Sequence, residues 1–428
     1  MRKKIDVQDV QIGMYVVDLD RPWRETRFMF QGFEVRSQED LDQLKHTCQY
    51  VYILTDYNPL APPKPATKNP TKTDLVVEAD QETGALAVSR FLQEDRPVTK
   101  HWRRDETTLE QELPQAQKIE SEARTVLYNI LDDARFGNSV NTSAAKEAVV
   151  GITESVIRNP DAMMVLTQLK EADQYTALHC LRVCILAITF GRHLQMTREE
   201  LNLLGLGALL HDVGKMKIPP DILNKPGRLT DKEFTVMQSH VPEGLKILQN
   251  SSGIVPLSLQ VVERHHERYG GAGYVNHMAG DAIGSFGLVS AIVDCYDAIT
   301  SDRIYRNGTP AYEALTSMYN WRGQDFHPRL VEQFIQCMGI YPIGSLVELN
   351  NGAVGVVVSI NREGSLRPKL VLVLDPLKSR YAPPRIVNLG QEPFTDPNFP
   401  VEIRKVLPPG TYGINPTEHL PIKRSTAA

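Results

Sequence analysis

Cysteine is scarce in this chain of 428 residues. There are five, Cys48, Cys180, Cys184, Cys295 and Cys337, an odd number with no CxxC pair. That pattern argues against a disulfide scaffold, fits a reducing compartment and makes them small core residues. Long hydrophobic runs are missing as well: no stretch approaches the roughly 20 consecutive apolar residues of a spanning helix, so no integral membrane segment is expected. The N-terminus starts basic but reaches Asp6 and Asp9 without an apolar run, unlike a secretory signal, and the cytoplasm is the expected compartment. There is no positive excess either. Lys and Arg number 47 against 52 Asp and Glu, a net charge of −5, which argues against a DNA- or RNA-binding protein while allowing a local basic pocket.

What the chain does concentrate is histidine. Of 11, His179, His193, His211, His240, His265 and His266 fall within one segment of under 90 residues. A single histidine on an apolar face is ordinarily a satisfied core residue, and His193 and His277 are read that way.

Residues 1–60 mix short β-like runs (Met14-Tyr-Val-Val17, Phe28-Met-Phe30, Tyr50-Val-Tyr-Ile-Leu54) with polar turns and predict a small α+β domain. Residues 61–112, with Pro62, Pro63, Pro65 and Pro70 among Lys and Thr, read as a Pro-rich, polar linker. From 113 to 340 the period is helical. Ile119, Ala123, Val126, Leu127, Ile130 and Leu131 form a stripe, and further helices are predicted over 145–157, 161–169, 175–194, 198–210, 257–267, 286–299 and 311–321. Thr230 and Glu233 form a capping box opening one helix through Phe234, Met237, Val241 and Leu245. Residues 341–410 turn to strands at 346–349, 354–360 and 370–374, with Asn351-Gly352 as a hairpin turn, and 411–428 form a tail. The fold class is mainly α: an all-helical domain between a small N-terminal α+β domain and a short C-terminal β segment.

His179, His211, Asp212, His240, His265, His266 and Asp294 all abut apolar positions of the helical segment. Buried imidazoles and carboxylates without partners cost kcal/mol each, and a divalent cation is the natural compensator. Nitrogen and carboxylate donors without thiolate suit Fe, Mn, Ni, Co or Zn. Seven such groups exceed one tetrahedral site, whereas two metals sharing a bridging carboxylate fit the count. The reaction class that follows is metal-assisted phosphoester hydrolysis, with Lys215 placed to stabilise developing charge or protonate a leaving alkoxide. Asp297, three residues after Asp294, reads as a supporting or capping residue rather than a ligand.

These residues resemble the HD-GYP subgroup of HD-domain phosphohydrolases, bacterial enzymes that hydrolyse cyclic di-GMP. The resemblance rests on His211-Asp-Val-Gly-Lys215, Ile218-Pro219, the run from Ile222 to Thr230, Met237 to His240, His265-His-Glu-Arg-Tyr-Gly-Gly-Ala-Gly-Tyr274 and Asp294 to Arg303. It covers about 170–310, and the opening also resembles a small N-terminal domain often fused to such enzymes. It implies an HD-type helical fold and metal ligation by His179, His211, Asp212, His240, His265, His266 and Asp294. It also implies catalytic roles for Asp212 and Lys215, and substrate contacts from Lys215, Tyr274, Arg303 and Arg306. The cofactors implied are two divalent transition-metal ions, Fe or Mn ahead of Ni, Co or Zn. The substrate would be cyclic di-GMP, opened by a metal-bridged hydroxide to pGpG, or onward to GMP, in bacterial signal transduction. A homodimer or a signalling-protein partner is compatible with this reading.

The chain departs from the family pattern at Gly270, where Asp is usual, and at Val275 and Ile304, where Pro is usual; no implied ligand changes, so the departures bear on substrate affinity or the second hydrolytic step. Tyr175 stands where some members carry a glutamate that supports a third metal, which favours two. The alternatives are a cyclic di-GMP receptor of the same fold with little or no activity, and another HD nucleotide phosphohydrolase.

Overall fold

In the computed structural model, described for residues 2–19, 33–35, 38–54, 104–169, 175–249, 251, 253–302, 308–362, 366–390 and 401–422, the Tyr50-Val-Tyr-Ile-Leu54 run becomes an inner strand of a four-stranded sheet. The N-terminal elements are β1 (Arg2–Asp6), β2 (Tyr15–Leu19), β3 (Phe33–Glu34), α1 (Gln38–Thr47) and β4 (Tyr50–Leu54), with antiparallel strand order β1-β4-β2-β3. Alternation along β4 sends Val51 and Ile53 into a small core with Val7, Val10, Val16, Val35 and Leu44. On the other face Tyr50 meets Tyr52 edge-on and takes Lys4 over its ring. Residues 1–84 form one unit of the chain and 85–428 the other. The expected run at 28–30 and the linker residues up to 103 lie outside the described residues.

The second unit starts with α2 (Leu109–Phe136), opened by a Thr108/Gln111 capping box and carrying Pro114 inside it. Then follow α3 (Thr142–Arg158), α4 (Pro160–Leu166), α5 (Tyr175–His193), α6 (Arg198–Leu210), α7 (Pro220–Leu223), α8 (Asp231–Gln238), α9 (His240–Gln249), α10 (Pro256–Arg264), α11 (Ser285–Thr300), α12 (Ala311–Asn320) and α13 (Pro328–Met338). Gly207 lets α6 and α10 approach closely: a Cβ there would lie 2.4 Å from the carbonyl oxygen of Ser258. Among the described residues no helix is long and apolar enough to cross a membrane.

The architecture is mainly α with a small N-terminal sheet and a C-terminal sheet, as expected, but some elements differ from the sequence reading. The helix expected to run on from the Thr230 capping box is two helices, broken at Ser239. Pro242 supplies the reason. It has no N–H to donate to residue 238 and its ring would crowd that carbonyl, and it sits instead in the first turn of a new helix, where no such bond is needed. The C-terminal sheet also has more strands than were read. It comprises β5 (Leu346–Leu349), β6 (Val354–Ser359), β7 (Lys369–Leu374), β8 (Arg380–Asn388) and β9 (Ile403–Leu407), in order β8-β7-β6-β5-β9. β8 holds Pro383 and Pro384, which a sheet accepts at an edge. The hairpin at Asn351-Gly352 forms as expected, with Gly352 at φ 90°.

A buried ion network ties the C-terminal sheet to the helices. Asp161, at the start of α4, accepts from Ser359 Oγ at 2.6 Å and from the Ile360 N–H at 3.0 Å, and pairs with Arg362. Arg362 also reaches Asp105 at 2.9 Å, which takes Arg192 of α5 at 2.9 Å.

Candidate metal centre

Five elements deliver the clustered donors. His179 lies on α5, His211 and Asp212 end α6, His240 opens α9, His265 and His266 close α10, and Asp294 lies on α11. His179, His211, Asp212, His240 and His265 are each no more than 2% exposed, and Asp294 is 6% exposed. Gly214, in the 3-10 turn Val213–Lys217, brings this turn against α9; a Cβ there would lie 1.9 Å from the His240 carbonyl oxygen.

Each buried imidazole is oriented by its other nitrogen. His211 Nδ1 lies 2.7 Å from the Ala208 carbonyl oxygen, His240 Nδ1 2.7 Å from that of Met237, and His265 Nδ1 3.0 Å from that of Val262. A carbonyl only accepts, so Nδ1 carries a proton in each; in His240 and His265 Nε2 then turns its lone pair into the centre, whereas His211, whose charge burial opposes but whose pKa Asp212 raises well above the usual value, must give up its Nε2 proton to ligate. His179 Nδ1 instead meets the Asp297 carboxylate at 2.7 Å, which Arg182 holds through both oxygens.

Asp212 sits between two sets of these nitrogens. Its Oδ1 lies 3.4 Å from His240 Nε2 and 3.8 Å from His265 Nε2; its Oδ2 lies 3.3 Å from His211 Nε2 and 3.6 Å from His179 Nε2. Asp294 divides similarly, Oδ1 at 3.0 Å from His179 Nε2 and Oδ2 at 3.8 Å from His266 Nδ1. Donor atoms within 4.8 Å of one another thus form one group from Asp212, His240, His265 and His266 and another from His179, His211 and Asp294. These residues fit a cation. Among the described residues His211 Nε2 and Asp212 Oδ1 are buried without a hydrogen-bond partner. The Nε2 atoms of His240 and His265 face each other at 3.4 Å, an arrangement that brings two lone pairs together unless positive charge lies between them.

Three of the histidines are poised to ligate. Burial holds His240 down at about 4 and His265 at about 3, and with His265 beside it His266 falls well below the usual range. All three are neutral, the form that ligates. Burial opposes ionisation of Asp212 and Asp294, but Lys215 and His211 beside the first and His179 beside the second hold both well below the usual carboxylate range. Lys215 pairs with Asp212 Oδ2, and although burial works against its charge this pairing raises its pKa.

The structure therefore brings the seven expected donors and Lys215 together. Tyr274 lies over His266, ring centroids 4.5 Å apart at 30°. Arg303, Ile304 and Arg306 lie outside the described residues. His193 is buried and meets Gln333 Oε1 at 2.9 Å, the core role expected of it. His277 does not take that role: it is exposed, at φ 52° in a loop, where no apolar face surrounds it.

Sequence reasoning assigned no function to three groups here. Cys180 brings its sulfur within 4.8 Å of the His211 and Asp212 donor atoms, so a thiol does stand beside the nitrogen and oxygen set. Arg182 is one turn past His179, the spacing that lets both meet Asp297. Glu267 is fully buried and accepts from the backbone N–H groups of Asn276 at 2.8 Å and Met278 at 3.0 Å. Its place directly after His265-His266 was the available signal.

Comparison with known proteins places the chain in a family. An "HD domain" description matches residues 159–330, a "KOW domain associated with HD domain" matches 346–395 and a domain of unknown function matches 2–145. The chain is 34% identical over 398 residues to a protein of Pseudomonas aeruginosa named as a cyclic di-GMP phosphodiesterase, covering 92% of this chain and 91% of the relative. It is 35% identical over 178 residues to a cyclic di-GMP phosphodiesterase of Thermotoga maritima, covering 41% of this chain and 48% of that one. A solved HDG"Y"P protein of Bdellovibrio bacteriovorus aligns over 78% of this chain and 98% of its own, with 17% identity and a TM-score of 0.45. On the near-full-length identity to the Pseudomonas protein, and with an HD-domain match spanning His179 to Asp294, this chain belongs to the HD-GYP cyclic di-GMP phosphodiesterase family of HD-domain proteins.

Proposed function

We propose that this chain hydrolyses cyclic di-GMP to linear pGpG, or onward to GMP, as a metal-dependent phosphodiesterase in bacterial second-messenger signalling. The observation that carries this reading is the division of the Asp212 carboxylate, with one oxygen towards His240 and His265 and the other towards His211 and His179. That is the arrangement of a carboxylate shared by two cations. His179, His211 and Asp294 would hold one divalent ion and His240, His265 and His266 the other, Fe or Mn ahead of Ni, Co or Zn. Such a pair supplies a hydroxide nucleophile at neutral pH and neutralises charge on the phosphoryl oxygens.

The chain's own residues do the rest. Neutral, buried His240 and His265 present their lone pairs without competing protons. Asp297 and Arg182 fix the His179 ring. Lys215 places an ammonium at the edge of the centre, where negative charge grows on the phosphate or its leaving oxygen. Tyr274, Arg303 and Arg306 are assigned to the dinucleotide, for which guanidinium geometry suits bidentate phosphate or guanine contacts. Five free cysteines, four of them buried, accord with a reducing cytoplasm.

The test is to incubate purified protein with Mn or Fe and cyclic di-GMP and separate the products by chromatography. Appearance of pGpG supports the reading. Intact ligand retained on the protein identifies a receptor instead, and neither outcome points to another nucleotide substrate.

A further inference from the structure

Helix α8 buries none of its residues, yet it carries Phe234, whose side chain is 44% exposed. The ring meets Tyr274 edge-on, with centroids 5.8 Å apart at 84°, and Tyr274 lies on His266. Rings thus step outward from the buried donors to the surface: His265, His266, Tyr274, Phe234. The ends of α8 are fixed by other groups. The Thr230/Glu233 capping box and the Lys225–Glu233 pair at 2.6 Å fix its start, and the Met237 carbonyl anchors His240 at its end.

We propose that Phe234, braced edge-on by Tyr274, is a stacking platform for one purine base of the substrate at the mouth of the metal centre. The proposal rests on the cyclic dinucleotide reading above. A phosphodiester joining two nucleosides brings its bases to the rim when its phosphorus enters a buried centre. A base offers a planar π face that an exposed phenyl ring can cover, and such stacking is base-tolerant. Phe234 has no polar atom with which to read a base edge, so it adds affinity and leaves the choice of base to other groups.

The experiment compares wild type with Phe234→Ala, Phe234→Leu and Phe234→Trp, all loaded with Mn, by steady-state hydrolysis of cyclic di-GMP and by calorimetric binding of the same ligand. The expected result is a rise of about tenfold in KM and Kd for the Ala and Leu variants, recovered by Trp, with the effect on KM rather than kcat. The inhibition constant of cyclic di-AMP rises by the same factor. A wild-type KM and Kd in Phe234→Ala, or a loss confined to kcat, overturns the proposal. A wild-type chain that binds without turnover overturns the hydrolase reading, while the Kd of Phe234→Ala still decides the platform; a chain that does not bind overturns both.

Discussion

Oδ2 of Asp297 lies 2.7 Å from Nδ1 of His179, and through this contact α11 and α5 set the orientation of a donor that neither positions alone. The carboxylate is itself held by Arg182 and by Ser301 Oγ at 3.3 Å, and with Arg182 and His179 beside it stays ionised despite burial. A negative acceptor keeps the His179 proton on Nδ1 and makes Nε2 a better donor to a cation.

Asp297→Asn removes that charge while keeping the shape. It is expected to lower metal affinity by about 10- to 100-fold. Asp297→Ala goes further, removing the carboxylate that the buried Arg182 guanidinium meets through two nitrogens, at a cost of about 3–5 kcal/mol. Metal titration and thermal unfolding separate the two effects. An Asn variant with wild-type metal affinity would remove Asp297 from the account.

Glu267 organises the loop that carries Tyr274. In Glu267→Ala the N–H groups of Asn276 and Met278 lose their acceptor, costing about 1–3 kcal/mol. Tyr274 is expected to leave His266, raising KM severalfold with metal content unchanged. Glu267→Gln, which keeps a carbonyl acceptor, should fall between. If the Ala variant melts and turns over as wild type does, the loop is held by something else.

His193, outside the centre, predicts a pH dependence of stability. Burial holds its pKa at about 4, against an unfolded value near 6.5. Between these values the unfolded chain binds the extra proton, so stability rises with pH through this window and is lost on acidification, by up to about 3 kcal/mol from this group. Melting of metal-free protein from pH 6.5 to 4.5 should fall steeply for wild type and less so for His193→Gln. Equal slopes would contradict the assignment.

Local pattern explains what could be read beforehand. The helices of the second unit announce themselves because apolar positions recur at the helical period, and the His211-Asp212 and His265-His266 pairs stand out because unpartnered polar groups are rare beside core residues. What stayed hidden depends on distant partners. Asp297 and His179 are 118 positions apart, and Asp161 and Arg362 are 201 apart, so no spacing rule joins them. The break at Ser239 is a local effect of Pro242 that the capping box and hydrophobic stripe outweighed on paper. β8 was masked by Pro383 and Pro384, residues that suggest a loop until an edge position is available to them. The exposed loop position of His277 likewise follows from the fold around Glu267 rather than from its neighbours in sequence.

Metal content measured beside product formation decides whether two cations share Asp212 in one hydrolytic centre. Wild type, loaded with Mn or Fe and freed of excess metal, should retain about two ions per chain and release pGpG from cyclic di-GMP. Asp212→Ala should hold fewer and release none. An Asp212→Ala protein that keeps the wild-type metal content and hydrolyses at the wild-type rate would show that Asp212 is not shared between two cations.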